Sequence, residues 1–158
     1  MATKTQTTQA NAVVQIAANL NQVVAESYGL LAQLHLAHWN VEGPHFLPYH
    51  QMFQEQYEEL FEAIDEIAER IRAIGHYAEG GLKRLASMST VEEGPTAAKC
   101  SDKDFLASLV VAHETVVGSC LEGRKLAGEA GDAETEDLLI GRIKVHQKAV
   151  WFLKSSLK

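Results

Sequence analysis

His38 and His50 stand on either side of a Gly43-Pro44 turn, and Asp65 and Glu69 follow one helical turn apart in the next segment. Imidazole nitrogen and carboxylate oxygen suit iron, zinc or manganese, and donor type alone does not choose among the three. Bonds from such donors to a metal are only about 2.0–2.2 Å long, so the ligands must converge on one point. From Pro48 onward the chain reads as one continuous helix. At about 1.5 Å rise per residue, His50 and Asp65 lie roughly 22 Å apart along it. One helix therefore cannot bring these four side chains to one ion. Two copies can, running antiparallel across a twofold axis, and the axis then makes two equal sites. The spacing predicts a metal site and a dimer together.

The helical wheel supports this pairing. At 100° per residue, His50, Gln54, Phe61, Asp65 and Glu69 fall within roughly a 100° arc. Unpaired carboxylates on a mainly apolar face are costly, so Asp65 and Glu69 need a counter-charge. Either a cation supplies it or Arg70 or Arg72 of a neighbouring subunit does. His38 shares a stripe with Leu31, Leu34 and His35. A lone histidine there would be a packing residue, but the compatible stripe on the next helix favours a ligand.

The elements that must hold these residues read as four helices. Residues 1 to about 7 are expected to form a short polar tail, and the domain proper to span about 8–156. The first helix runs from about Thr8 to Val41, with Val13, Ile16, Leu20, Val24, Leu31 and Leu34 at helical spacing. Glu42-Gly43-Pro44 breaks it. The second runs from about Pro48 to Ile74, ends at Gly75, and has an i,i+4 pair of Glu66 with Arg70 on its wet side. Residues 76–101 form a long connection in which 82–88 can pack on the bundle and 90–93 can open a helical turn. Ser101 or Asp102 caps a third helix to about Ala130, Gly131 ends it, and a fourth spans about Ala133–Ser156. Four helices with one long crossover predict an all-α, antiparallel four-helix bundle.

Composition sets limits. The formal charge of −7 works against nucleic acid, since phosphate binding depends on Lys and Arg releasing counterions. Cys100 and Cys120 are too few for a disulfide framework and read as reduced thiols. No signal sequence is expected in MATKTQTTQANA, and no apolar stretch of membrane-spanning length is expected either.

The segments AHWNVEGPHF, the following His50, DEIAERIRAIG, GEAGDAETEDLL and HQKAVWFLK resemble the Dps family, the miniferritins, over nearly the whole chain. The resemblance implies a ferritin-like bundle assembled as a hollow homododecamer built from twofold dimers. It implies di-iron ferroxidase sites at the twofold interfaces, with His38 and His50 from one subunit and Asp65 and Glu69 from its partner. Ferrous ions would be oxidised there by hydrogen peroxide or dioxygen, with zinc or manganese as competitors, and ferric mineral stored inside. Trp39, beside His38, would be a reducing residue, although it also reads as an interface aromatic. Asp132 and Asp137 would line the threefold pores, and Glu58, Glu59 and Glu62 could face the cavity. A cytoplasmic location is expected.

One position departs from the family pattern. Four residues after the second histidine the family commonly has Asp or Glu, and this chain has Gln54. Three consequences are open. The second metal binds weakly, or another histidine (His35, His76 or His146) substitutes, or oxidation is slow and the protein mainly buffers metal. The alternative function is DNA compaction, for which the family is named. It is disfavoured because the termini offer only Lys4, Lys154 and Lys158 and no basic arm. A ferritin with its di-iron site inside each bundle needs Glu-x-x-His pairs on facing helices. The only such spacing, Glu42 to His45, crosses the Gly-Pro break.

Overall fold

In the computed structural model, residues 2–94 and 100–158 are described, with side chains from residue 9 onward; Pro95 and the Lys4 side chain fall outside these limits. Among the described residues all regular structure is helical. The helices are α1 (Ala2–Asn40), α2 (Phe46–Ala73), a short α3 (Leu82–Met88), α4 (Asp102–Ala130) and α5 (Ala133–Ser156). The four long helices form the predicted bundle, and α3 lies in the crossover.

Two starts differ from expectation. The helix begins at Ala2, so the expected polar tail of residues 1–7 is helical from residue 2. That segment has neither Gly nor Pro, and nothing in it stops the helix from propagating. Likewise α2 starts at Phe46, two residues before Pro48. Proline is tolerated there because first-turn amides have no acceptor inside the helix. The 90–93 stretch, expected to open a helical turn, is not helical.

The helix ends follow local chemistry. Gly75 takes φ +88°, which lets its amide reach the Arg72 carbonyl and that of His76 the Ile71 carbonyl. These are the two bonds of a Schellman ending, and only glycine enters that conformation without a Cβ penalty. Ser101 and Asp104 form a reciprocal capping box at the start of α4.

The contacts set the helix directions. His45 approaches Asp102, Gln56 meets His113, and Arg70 reaches Asp132, so α2 and α4 ascend together. Tyr49 bonds to Ser156 and Arg70 to Thr135, so α5 runs the other way. The crossover that makes this possible is pinned to α1 by side chains. Asn21 bonds to the Tyr77 carbonyl and to the Glu79 amide, Gln22 to the Met88 carbonyl, and Gln33 to the Gly94 amide. Buried Glu26 accepts from Thr90.

The core is aliphatic, with Leu20, Leu30, Leu34, Leu60, Ile67, Leu106, Leu109, Leu139 and Leu153 fully enclosed. Inside it lies a polar chain the sequence reading missed. Arg142 donates to His146 Nε2 at 3.3 Å, and the two histidines meet Nδ1 to Nδ1 at 2.9 Å. His113 Nε2 faces the Gln56 carbonyl oxygen at 3.1 Å. The end partners fix every proton: His146 donates from Nδ1, and His113 accepts there and donates from Nε2. Arg142 is itself neutralised by a two-pronged ion pair with Glu59. Burial, then the Arg142 charge, pushes His113 down to about 3; burial, then His113 and Arg142, holds His146 well below its usual value.

Despite the expectation that no membrane-length stretch would appear, α4 is long and apolar enough to cross a membrane by length and composition. Its Val, Leu and Ala content raises the mean hydropathy. Its apolar side, including Phe105, Leu106, Leu109 and Val116, is buried in the bundle, as in the core helix of a globular protein.

Two predictions follow from the packing. A histidine held neutral by burial stabilises the fold above its unfolded value and loses that contribution as pH falls. The melting temperature should therefore drop as pH falls from about 6.5 toward about 3, and less steeply in His113→Gln. A Cβ on Gly123 would collide with the Asn19 side chain and come within 2.8 Å of Leu139. Gly123→Ala should destabilise by roughly 1–3 kcal/mol in denaturant titration.

Candidate functional site

His38 near the end of α1 and His50 in the first turns of α2 are brought together by the Gly43-Pro44 reversal. Gly43 turns at φ +103°, and the rings stack with centroids 3.7 Å apart and planes inclined by 17°. Each ring is held by the other residue's backbone. His38 Nδ1 donates to the His50 carbonyl at 2.9 Å, and His50 Nδ1 donates to the His38 carbonyl at 2.8 Å. A carbonyl oxygen only accepts, so each Nδ1 carries a proton. Both Nε2 lone pairs are left for an electrophile. Backbone bonds of this kind on the second ring nitrogen are how metal-ligating histidines are oriented.

Aromatic rings line the rest of this end. Tyr57 meets His38 edge-on at 5.2 Å and His35 at 4.5 Å. His35 in turn lies parallel to Trp39 at 5.3 Å, with only 4° between planes. Trp39 remains 70% exposed in the single chain, an apolar area that a partner surface can cover. Burial, then the nearby His38, lowers the His35 pKa.

Asp65 and Glu69 lie at the far end of α2. Both are exposed, and they line an open hollow with Glu62 and Glu66. Among the described residues, no three His, Cys, Asp or Glu side chains gather closely enough to hold a metal within one chain. The structure thus brings His38 to His50 but brings neither to Asp65 or Glu69.

Other sequence-based expectations find different partners. Arg70 does not use Glu66. It bonds to Asp132 at 2.6 Å and to Thr135 at 2.8 Å, clamping the start of α5 to α2. Asp132 is the N-cap of α5, accepting from the Thr135 amide and hydroxyl, and is half-buried. These bonds and Arg70 keep its carboxyl below the ordinary range against the opposing effect of burial. Asp137 is exposed one turn further on. Of the three histidines considered as substitutes for a ligand at position 54, His146 is in the core on the other side of α2, committed to His113 and Arg142. His76 follows the end of α2, and only His35 joins the His38–His50 cluster. The signal for the buried pair was available in the sequence: two histidines on core-facing stripes of α4 and α5, with Arg142 one turn from the second.

Comparison with known proteins agrees with this arrangement. The ferritin-like domain family matches residues 17–158. DNA protection during starvation protein 2 of Bacillus anthracis is 34% identical over 146 residues, covering 90% of this chain and 97% of that protein. The X-ray structure of Dps from Thermosynechococcus elongatus superposes with a TM-score of 0.90 at 27% identity, covering 96% of this chain and 95% of the other. A Dps protein from Vibrio cholerae O1, titled a member of a broad superfamily of ferritin-like diiron-carboxylate proteins, gives 0.88 at 26% identity, over 94% and 92% of the two chains. With its bundle, its crossover and its paired histidines in place, the chain belongs to the Dps family of ferritin-like proteins.

Proposed function

We propose that this protein oxidises ferrous iron at sites shared between two subunits and stores the ferric product inside a hollow dodecamer. Membership of a ferritin-like, diiron-carboxylate superfamily supports iron handling in general. The observation that carries the finer reading is the reciprocal locking of His38 and His50. Both Nε2 atoms are free, and the matching carboxylates are stranded at the other end of α2. A twofold axis near the middle of α2 brings His38 and His50 of one subunit against Asp65 and Glu69 of the next. The same axis covers exposed Trp39 and Phe61.

Ferrous ion is the substrate. Two ferrous ions, one hydrogen peroxide and two waters give two ferric oxyhydroxide units and four protons. Holding two ions side by side lets one peroxide take both electrons, so no hydroxyl radical need be released. Dioxygen is the alternative oxidant, and zinc or manganese compete for the same donors. Trp39, one residue from His38, supplies an electron when only one ion is present. Asp137, exposed on α5, is the freer pore carboxylate, since Asp132 is tied to Arg70 and Thr135. The function is that of a cytoplasmic iron store protecting against peroxide.

DNA compaction is disfavoured by the charge of −7 per subunit. Plasmid DNA should migrate unchanged with the protein in a low-salt gel; a retarded complex would reverse this. Stopped-flow oxidation of ferrous iron by peroxide tests the main reading. His38→Ala and Asp65→Ala should each slow it by at least about 100-fold while the far-ultraviolet spectrum and assembly are kept. Fast oxidation surviving in both variants would refute the site.

A further inference from the structure

One outer groove runs between α1 and α2. At one end exposed Trp39 lies parallel to His35, and His35 lines the middle of the groove with Tyr57 and Phe61. Phe61 also borders the next hollow along, of about 360 Å³, walled by Val24, Tyr28, Asp65, Ala68, Gly80 and Gly81. A cavity of about 150 Å³ takes a benzene ring, so this one has room for an indole. Its crossover wall is bare, because a Cβ on Gly80 or Gly81 would meet nothing within 4 Å.

The twofold that carries His50 onto Asp65 and Glu69 crosses α2 at about residue 58 or 59, midway between them. His35 meets Tyr57 and His38 meets His50, so α1 runs antiparallel to α2 and Trp39 stands level with about residue 49 of α2. The same twofold therefore carries Trp39 to about the level of residue 68 of the partner subunit, where the hollow lies.

We infer that the indole of Trp39 seats in this hollow of the partner subunit, twice per dimer, which makes the crossover part of the interface. The inference rests on the interfacial reading above, since the twofold comes from it. The hollow also matches the ring chemically. Val24, Tyr28 and Ala68 offer apolar surface to its faces, and the carboxylates of Asp65 and Glu62 are acceptors for the indole N–H, which only donates. Trp39 adjoins His38 and the hollow adjoins Asp65, so seating the ring and closing the ligand shell are one movement.

Fluorescence of Trp39 in the assembled, iron-free protein tests this, in a Trp151→Phe background that leaves one tryptophan. Its emission should lie to the blue of the unfolded protein's and resist quenching by acrylamide. Gly80 is exposed and its backbone accepts a side chain, so Gly80→Leu should fold normally and fill the hollow. That variant should shift the emission back to the red. It should also weaken the dimer by about 30-fold in sedimentation, as Trp39→Ala should, the loss expected for a central aromatic anchor. The double variant should be no weaker than either single one, because both remove the same contact. A solvent-like emission in the assembled protein would overturn the inference, as would unchanged emission and affinity in Gly80→Leu. Peroxide-driven iron oxidation separates the two levels. If His38→Ala abolishes oxidation while Trp39 stays exposed, the shared site stands and only the seating of the ring fails. If His38→Ala oxidises iron as fast as wild type, the shared site fails and takes this twofold with it.

Discussion

The reach of a metal bond against the length of a helix governs this molecule. A ligand shell is a few ångström across, whereas α2 carries its histidine and its acidic pair at opposite ends, roughly 22 Å apart by helical rise. Nothing within the subunit shortens that distance, because α2 is continuous and clamped at both ends. Its start is fixed by the Gly43 reversal and by Tyr49 bonding to Ser156, and its end by Arg70 on Asp132 and Thr135. A rigid rod with half a site at each end closes its shell only against another copy. Assembly and chemistry are then the same requirement.

The rest of the bundle serves to hold that rod. The chain Glu59–Arg142–His146–His113–Gln56, buried apart from Glu59, crosses from α2 to α5 and α4 with each histidine proton assigned. Such a network in an apolar core is costly if any member is lost, and when complete it fixes one relative register of the helices. Register matters here because a slip of α2 by one residue rotates His50 by about 100° away from His38. The crossover, tied to α1 through Asn21, Gln22, Glu26 and Gln33, keeps α4 parallel to α2 and leaves the outer face of α2 uncovered. That open face carries Gln54, Glu58, Phe61, Asp65 and Glu69.

Much of this was legible in the sequence, and the parts that were not share a cause. The helices and their ends are local properties, so Gly43-Pro44, Gly75, Ser101 and Gly131 announced them. The spacing of His38 and His50 across a reversal marked them as candidate ligands, but did not foretell that their rings would stack. Side-chain partners between helices depend on tertiary distance. Arg70 looked like the partner of Glu66 by spacing, yet Asp132 and Thr135 on another helix hold it. Asp132, expected to line a pore, is also the cap of α5. His146 read as a spare ligand and is a buried hydrogen-bond relay. The polar N-terminus was expected to be a tail because it lacks apolar periodicity, but a segment without a breaker can continue a helix already nucleated downstream.

The most direct measurement of the central claim is co-assembly of two inactive variants. Subunits with His38→Ala and subunits with Asp65→Ala are unfolded together, mixed in equal amounts and reassembled, and peroxide-driven iron oxidation is timed. If each site draws one half from each of two subunits, random pairing regenerates about a quarter of the wild-type sites, all in mixed dimers. Activity returning to that level is the predicted result. A mixture as inactive as its two components, with dimers demonstrably mixed, would mean that each shell closes within one chain and would contradict the account.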